Sequence, residues 1–253
     1  MNRFISLKKI DKEEYGGVLC YPKRSPEELA KRLMEMAQLG VKAVSFQGEK
    51  KVNGVPILGK GCVGIVLLAQ TDKRKVAVKI RRTDADRAEM RREAEMLETA
   101  NSVSVGPKLL RFSENLLMME FVDGILLPEW VETIGDTNAT LRLRRVLRDI
   151  LEQCWRLDGK GLDHGELSQA SKHIMIYRED KACLLDFETA SLARRVANVT
   201  SACHYLFMGG ETARTIGKKI GETSKDHLLA ALRAYKRKCT REGFEAILKA
   251  CVL

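Results

Sequence analysis

The sequence lacks the features of several common protein classes. No stretch approaches the roughly 18 consecutive apolar residues that a membrane-spanning helix needs, and the N-terminal segment MNRFISLKKIDKEEYGG has no apolar core of a secretory signal. The seven cysteines, an odd number, include no C-x-x-C pair, which argues against a disulfide framework and a zinc knuckle. Nor is there an aromatic-rich motif for nucleic acid. We therefore expect a cytoplasmic protein with reduced thiols and no membrane partner.

Size and charge leave two broad expectations open. A chain of 253 residues with 45% apolar residues suits one large domain or two lobes with a sizeable core. The net charge of +10 favours phosphate-rich partners, either a nucleotide or nucleic acid. The basic residues are scattered over many segments, so ordinary solvation explains them equally well. Nucleic acid is kept as a partner class that no motif supports.

A glycine-rich segment stands within the strand-rich residues 41–82, after a helix predicted from the Ser25 cap to Gly40. It spells the pattern G-x-G-x-x-G-x-V with Gly59, Gly61, Gly64 and Val66. Glycines suit this pattern because backbone amides can approach phosphates with no Cβ in the way. The residues that follow favour a strand, whereas a dinucleotide-binding fingerprint requires a helix there. The segment therefore predicts a phosphate-covering hairpin.

Lys79 lies in the apolar strand pattern VAVKI of residues 76–80. A lysine in a buried strand needs anionic partners, although an edge strand with Lys79 in solvent is the alternative. The helix predicted over residues 83–100 carries four glutamates, and Glu93 lies nearest the apolar stripe. That stripe consists of Met90, Ala94 and Leu97. We predict that Glu93 pairs with Lys79.

Residues 162–188 contain two acidic positions around a predicted β-hairpin. The hairpin consists of apolar runs at residues 174–177 and 182–185 joined by a polar turn. Glu166 precedes the first strand and Asp186 follows the second, so we expect the two carboxylates to lie close together. Kinase-type active sites hold a base and a metal ligand in this way.

These motifs resemble the small atypical protein kinases of the RIO type and their archaeal relatives, over about residues 54–210. The family's H-G-D-L catalytic loop appears here as HGEL at residues 164–167, and its D-F-G motif as DFE at residues 186–188. The resemblance implies an α+β, two-lobed protein-kinase-like fold. Residues 1–121 are expected to form a small β-rich N-lobe with an N-terminal helix, and residues 122–253 a mainly helical C-lobe.

The resemblance also implies roles for individual residues. Lys79 holds the phosphates of ATP, and Asp186 binds Mg²⁺ or Mn²⁺. Glu166 is the base in place of aspartate, with Asp163 as a secondary candidate. The asparagine that the family uses as a further metal ligand is Ser171 by direct count, or His173 if two extra residues precede the strand. The segment MEFVDG resembles the hinge that reads adenine through backbone groups of Met119, Glu120 and Val122.

The predicted function is ATP-dependent phosphotransfer to a serine or threonine of an unknown protein substrate, with the enzyme itself among the acceptors. One alternative is a nucleotide-binding pseudokinase or slow ATPase that acts as a conformational switch in protein or RNA assembly. Another is a small-molecule kinase similar to the aminoglycoside phosphotransferases. The helical lobe has no large insertion that would form a small-molecule pocket, and no A-P-E sequence or long activation segment follows Glu188.

Overall fold

The computed structural model describes residues 3–10 and 15–253, which form two compact units. The first unit contains the described residues up to Glu98 together with Pro107–Phe121. The second contains Thr99–Gly106 and Val122–Leu253. Across these described ranges, none of the helices is both long enough and apolar enough to cross a bilayer.

The first unit is built on an antiparallel sheet of seven strands in the order β1-β2-β6-β7-β9-β8, with β5 paired to β6. A separate hairpin joins β3 to β4. The glycine-rich segment thus leads into a strand, as its sequence predicts. The strands are β1 Ile5–Ser6, β2 Ala43–Ser45, β3 Lys50–Val52, β4 Val55–Ile57, β5 Gly59–Lys60, β6 Gly64–Gln70, β7 Lys75–Arg81, β8 Leu109–Phe112 and β9 Leu116–Glu120.

Four helices accompany this sheet: α1 Leu7–Ile10, α2 Gly16–Leu19, α3 Pro26–Gln38 and α4 Arg87–Asn101, whose last residues belong to the second unit. Helix α3 begins after Ser25, whose hydroxyl accepts a hydrogen bond from the amide of Glu28 at 3.4 Å. The predicted helix cap is therefore confirmed. Helix α4 begins later than the predicted residue 83, because residues 83–86 form a turn.

Charged residues of α3 are buried against the turn between β8 and β9. Arg32 is 0% exposed and Glu35 is 6% exposed, so these two residues do not belong to a solvated face. The carboxylate of Glu35 accepts hydrogen bonds from the amide and the side chain of Asn115, at 3.1 and 2.5 Å. Since buried charges require such partners, this network fixes α3 on the sheet.

The second unit is mainly helical and contains one three-stranded antiparallel sheet in the order β10-β11-β12. Its strands are β10 Gly124–Leu126, β11 Ile174–Tyr177 and β12 Lys181–Leu184. Its α-helices are α5 Leu127–Thr133, α6 Ala139–Lys160, α7 Asn198–Cys203, α8 Gly210–Ile220, α9 Lys225–Arg237 and α10 Arg241–Ala250. A 3-10 helix spans Leu167–Lys172, and a π-helix spans His204–Met208.

Local patterns predicted much of this unit. The first hairpin strand has the expected bounds, and the second begins and ends within one residue of them. The apolar periodicity of residues 141–154 predicts a buried helical face, and Leu143, Val146 and Ile150 of α6 lie on it. The same periodicity places Leu141 on that face, but Leu141 is 60% exposed. Periodicity identifies the face of a helix, but it does not show how far the covering elements extend over the first turn.

Candidate active-site residues

The glycine-rich segment forms a tight hairpin next to Lys79. Gly59 pairs with Val66, and the amide of Gly61 donates a hydrogen bond to the carbonyl of Gly64 at 2.8 Å. A Cβ on Gly64 would lie 2.9 Å from the carbonyl oxygen of Ile80 and 3.0 Å from Cγ of Lys79. Glycine is therefore required at this position so that the aliphatic stem of Lys79 can pass beside the backbone.

Lys79 and Glu93 form a buried ion pair. Their side chains are each 4% exposed, and Nζ lies 2.8 Å from the carboxylate. Strand β7, which carries Lys79, lies between β6 and β9, so the edge-strand alternative is wrong. A charge held at this depth is stable only with a close countercharge. The geometry agrees with the choice of Glu93 from helical periodicity.

Tyr21 and Arg82 make an unexpected contact with the glycine-rich segment. The hydroxyl of Tyr21 lies 2.8 Å from Nζ of Lys60, and the guanidinium of Arg82 lies 5.1 Å from the tyrosine ring. Arg82 also donates a hydrogen bond to the carbonyl of Gly61 at 3.5 Å. Residues 1–24 gave no clear sequence signal, so this contact of Tyr21 was missed. Only its long-range partners reveal it.

The expected hinge segment begins at the end of β9. Met119 pairs with Ala77, and Glu120 pairs with Val76 and donates its amide hydrogen to the carbonyl of Lys108 at 2.9 Å. The side chain of Glu120 is exposed, as suits a segment that works through its backbone. The adenine-reading role of Met119, Glu120 and Val122 stays a prediction.

In the second unit, Glu166, His173 and Asp186 come together. Each offers one ligand atom, and these atoms lie within 4.8 Å of one another. Nε2 of His173 lies 3.3 Å from a carboxylate oxygen of Glu166. Two carboxylates and an imidazole are all common metal ligands in proteins, so this donor set suits a divalent cation. The expected proximity of the two acidic positions is present.

The 3-10 helix Leu167–Lys172 determines which residue takes the position of the family's asparagine. Ser171 is exposed on that helix, whereas His173 ends it, directly before β11. The backbone of His173 is fixed on both sides: its amide donates to Ala170, and its carbonyl accepts from Leu185 at 2.8 Å. The arrangement favours His173 for the position of the missing asparagine. The metal-binding role of Ser171 stays a prediction.

The buried side chain of His164 supports the loop that carries Glu166. The residue is 0% exposed, and Nε2 lies 3.0 Å from the carbonyl oxygen of Leu185. Its ring packs 4.9 Å from that of Phe187. Burial, together with the neighbouring His173, lowers the pKa of His164 to about 4. His164 is therefore neutral at physiological pH, which agrees with the structural, non-reactive role that the resemblance implies for the first residue of HGEL.

Asp163 is already committed to structural contacts. One carboxylate oxygen accepts a hydrogen bond from Nε of Arg194 at 2.9 Å, and the other accepts one from the amide of Ala197 at 3.1 Å. Arg194 also donates to the carbonyl of Thr189 at 2.6 Å. These contacts link the loop that contains Asp163 and Glu166 to the segment after Asp186, and they leave Glu166 as the better candidate for a base.

Asn198 is a positioning residue that the sequence did not reveal. Its side-chain oxygen accepts a hydrogen bond from the amide of His164 at 2.8 Å, and its side-chain nitrogen donates to Leu162 at 2.7 Å. The same nitrogen donates to the buried carboxylate of Asp158 at 2.8 Å. Asn198 opens helix α7, whose sequence NVTSAC contains further polar residues, so no local signal distinguished it. Asn198 thus holds the backbone that carries Glu166.

Comparison with known proteins gives two matches. A family model for the RIO domain matches residues 67–194. An uncharacterized protein of Methanocaldococcus jannaschii is 33% identical over 102 residues, which cover 40% of this chain and 83% of that protein. The family match includes Lys79, Glu93, Glu166 and Asp186.

Proposed function

Since the chain belongs to the RIO-domain family of kinase-like ATP-binding phosphotransferases, we propose that it phosphorylates serine or threonine hydroxyls of a protein, itself included. The buried Lys79–Glu93 ion pair carries this proposal. A general scaffold does not need a lysine in the middle of a sheet, whereas a site for nucleotide phosphates does. The pair costs desolvation energy, and binding of an anionic ligand explains why it is kept.

Nucleotide binding is assigned to the first unit and to the segment after β9. Lys79 contacts the α- and β-phosphates, and Glu93 keeps its ammonium group in place. The hairpin of Gly59, Gly61 and Gly64 offers backbone amides to the phosphates. Backbone groups of Glu120 and Val122 bind adenine.

Phosphoryl transfer is assigned to residues of the second unit. Glu166 orients the acceptor hydroxyl and takes its proton, while the hydroxyl oxygen bonds to the γ-phosphorus and the bond from that phosphorus to ADP breaks. Asp186 holds a divalent metal ion, with Ser171 or His173 as the further ligand. Such an ion supplies charge neutralisation at the phosphates when it is bound.

The test is incubation of the purified chain with γ-labelled ATP and Mg²⁺ or Mn²⁺, with label on protein and free phosphate followed separately. Lys79→Ala is compared with Lys75→Ala, an exposed lysine on the same strand. Glu166→Ala and Asp186→Ala complete the set. We expect label on the wild-type protein and on Lys75→Ala, and a loss of label in the other three variants.

Two other outcomes would redirect the proposal. Nucleotide binding that requires Lys79, with no label on protein and phosphate release indifferent to Glu166, would indicate a nucleotide-gated binding protein. Binding of ATP that Lys79→Ala and Lys75→Ala leave equally intact would remove the kinase interpretation, because the buried lysine would then have a structural role.

A further inference from the structure

We propose that Glu166, His173 and Asp186 form a site for a first-row divalent transition ion, which binds without nucleotide and in preference to Mg²⁺. The inference deepens the proposed function and rests on it, since Asp186 is the metal ligand there and Glu166 binds the ion through one carboxylate oxygen while the other serves the acceptor hydroxyl. What is new is that His173 contributes to the site and sets its ion preference.

Backbone contacts within the second unit position the segments that carry Glu166 and His173. The carbonyl of Glu166 accepts the amide hydrogen of Gln169 at 3.0 Å, and His173 is bonded to Ala170 and Leu185. Asp186 adopts a left-handed backbone conformation with φ of 67°. On this backbone, one ligand atom of each residue lies within 4.8 Å of the others with no nucleotide bound. A nucleotide is therefore not needed to assemble the group.

The contacts of His173 leave a place for a cation. One nitrogen, Nε2, lies 3.3 Å from a carboxylate oxygen of Glu166, and the buried Nδ1 has no hydrogen-bond partner in residues 3–10 and 15–253. If the neutral ring carries its proton on Nδ1, the lone pair of Nε2 faces a carboxylate, which is repulsive. A metal ion bound by Nε2 and Glu166 removes that repulsion. A proton in the same place is the competing explanation.

The donor types decide which ion the site prefers. Mg²⁺ requires near-octahedral oxygen coordination, and it gives up its waters reluctantly. An imidazole nitrogen favours transition ions, whose affinities rise from Mn²⁺ toward Cu²⁺ and remain high for Zn²⁺. Two ionised carboxylates also balance the charge of a divalent ion. Replacement of an oxygen ligand by the nitrogen of His173 therefore shifts the preference away from Mg²⁺.

Access to the site is compatible with ion exchange. The side chain of Glu166 is 37% exposed and that of His173 is 15% exposed. An ion can reach both residues from solvent without unfolding of the loop. The exposed thiols of Cys62 and Cys239 also bind Zn²⁺, so Mn²⁺ is the cleaner probe.

The experiment measures Mn²⁺ and Mg²⁺ binding to the full chain without nucleotide, by titration calorimetry and by electron paramagnetic resonance. We expect Mn²⁺ to bind at least about tenfold more tightly than Mg²⁺, because a nitrogen ligand is present. Pulsed resonance should detect coupling of Mn²⁺ to an imidazole nitrogen. His173→Asn should remove this coupling and the preference for Mn²⁺. Asp186→Asn should weaken both ions.

The matched control is His227→Asn, an exposed histidine on α9, which should leave binding and coupling unchanged. Absence of Mn²⁺ binding without nucleotide, or binding that His173→Asn leaves unchanged, would overturn the inference in favour of a direct contact between His173 and Glu166 without an ion. The proposed function fails by a different result, loss of label transfer in the wild-type protein. If label transfer were absent, we would still expect Mn²⁺ to bind with coupling to an imidazole nitrogen.

Discussion

The Lys79–Glu93 pair and the Glu166–His173–Asp186 group differ first in burial. Both members of the pair are 4% exposed, whereas Glu166 is 37% and His173 15% exposed. A buried pair is part of the packing, so a change to it alters stability and binding together. A partly exposed group can change its ligand chemistry while the surrounding fold persists. The two regions should therefore respond differently to mutation.

The largest effect is expected from removal of one member of the buried pair. Glu93→Leu leaves a lysine buried without its 2.8 Å countercharge, which should cost about 3–5 kcal/mol in the free energy of unfolding. The double variant Lys79→Met/Glu93→Leu should recover most of the lost free energy of unfolding, because apolar residues of similar size replace both charges. Neither variant should bind ATP. Urea unfolding and nucleotide titration measure the two properties separately.

Glu98→Leu, at an exposed position on the same helix, is the matched control and should leave both properties nearly unchanged. A double variant as unstable as Glu93→Leu would contradict the assignment of the loss to the removed countercharge. A double variant that still binds ATP would show that the pair has only a structural role.

Asp186→Asn should have a small effect on stability and a large effect on label transfer. The φ of 67° at this position is a conformation that asparagine tolerates, and the residue is half-buried, so the free energy of unfolding should fall by less than in Glu93→Leu. Label transfer should fall roughly a hundredfold or more, since a metal ligand supplies several kcal/mol of charge stabilisation. A loss of stability comparable to that of Glu93→Leu would erase the distinction between the two regions.

The same distinction explains what the sequence could predict. Lys79 and Glu93 were identified because local strand and helix periodicity determine burial, and their pairing follows from adjacent elements. The choice between Ser171 and His173 depended on a 3-10 helix, whose short length leaves no periodic signal. The RIO match confirms the resemblance seen in the motifs, and the α+β fold is as predicted.

Long-range contacts account for the remaining omissions. The buried Arg32 and Glu35 have the composition of a solvated helical face. Asn115, in a distant turn, bonds to both of them and helps to make their burial favourable, and Glu28 and Ser113 are further partners. Tyr21 and Asn198 likewise act through partners far along the chain. Pairings of this kind cannot be deduced from local periodicity, because one sequence records neither distance nor orientation.

A smaller change is expected from Glu166→Asp, which restores the family's aspartate and withdraws the carboxylate by about 1.5 Å. Misplacement of about 1 Å costs up to a hundredfold in rate, so the variant should transfer phosphate faster by as much as about a hundredfold. The shorter side chain should also lose its 3.3 Å contact with His173 and bind Mn²⁺ more weakly. Initial rates of label transfer by Glu166→Asp and the wild-type protein measure this effect. A slower variant would indicate that the wild-type backbone already compensates for the greater length of the glutamate side chain.

The smallest expected effect concerns the support beneath the catalytic loop. Burial raises the pKa of Asp158, although Asn198 and Tyr235 donate hydrogen bonds that lower it. A raised pKa in the folded state means that the contribution of Asp158 to stability is complete below its ordinary value of 3.8, and is lost as pH rises through the folded-state pKa. The stability difference between wild type and Asp158→Asn should therefore narrow as pH increases. Urea midpoints of both proteins across the acidic range measure this slope, and a difference that widens with pH would mean that the donated hydrogen bonds outweigh burial.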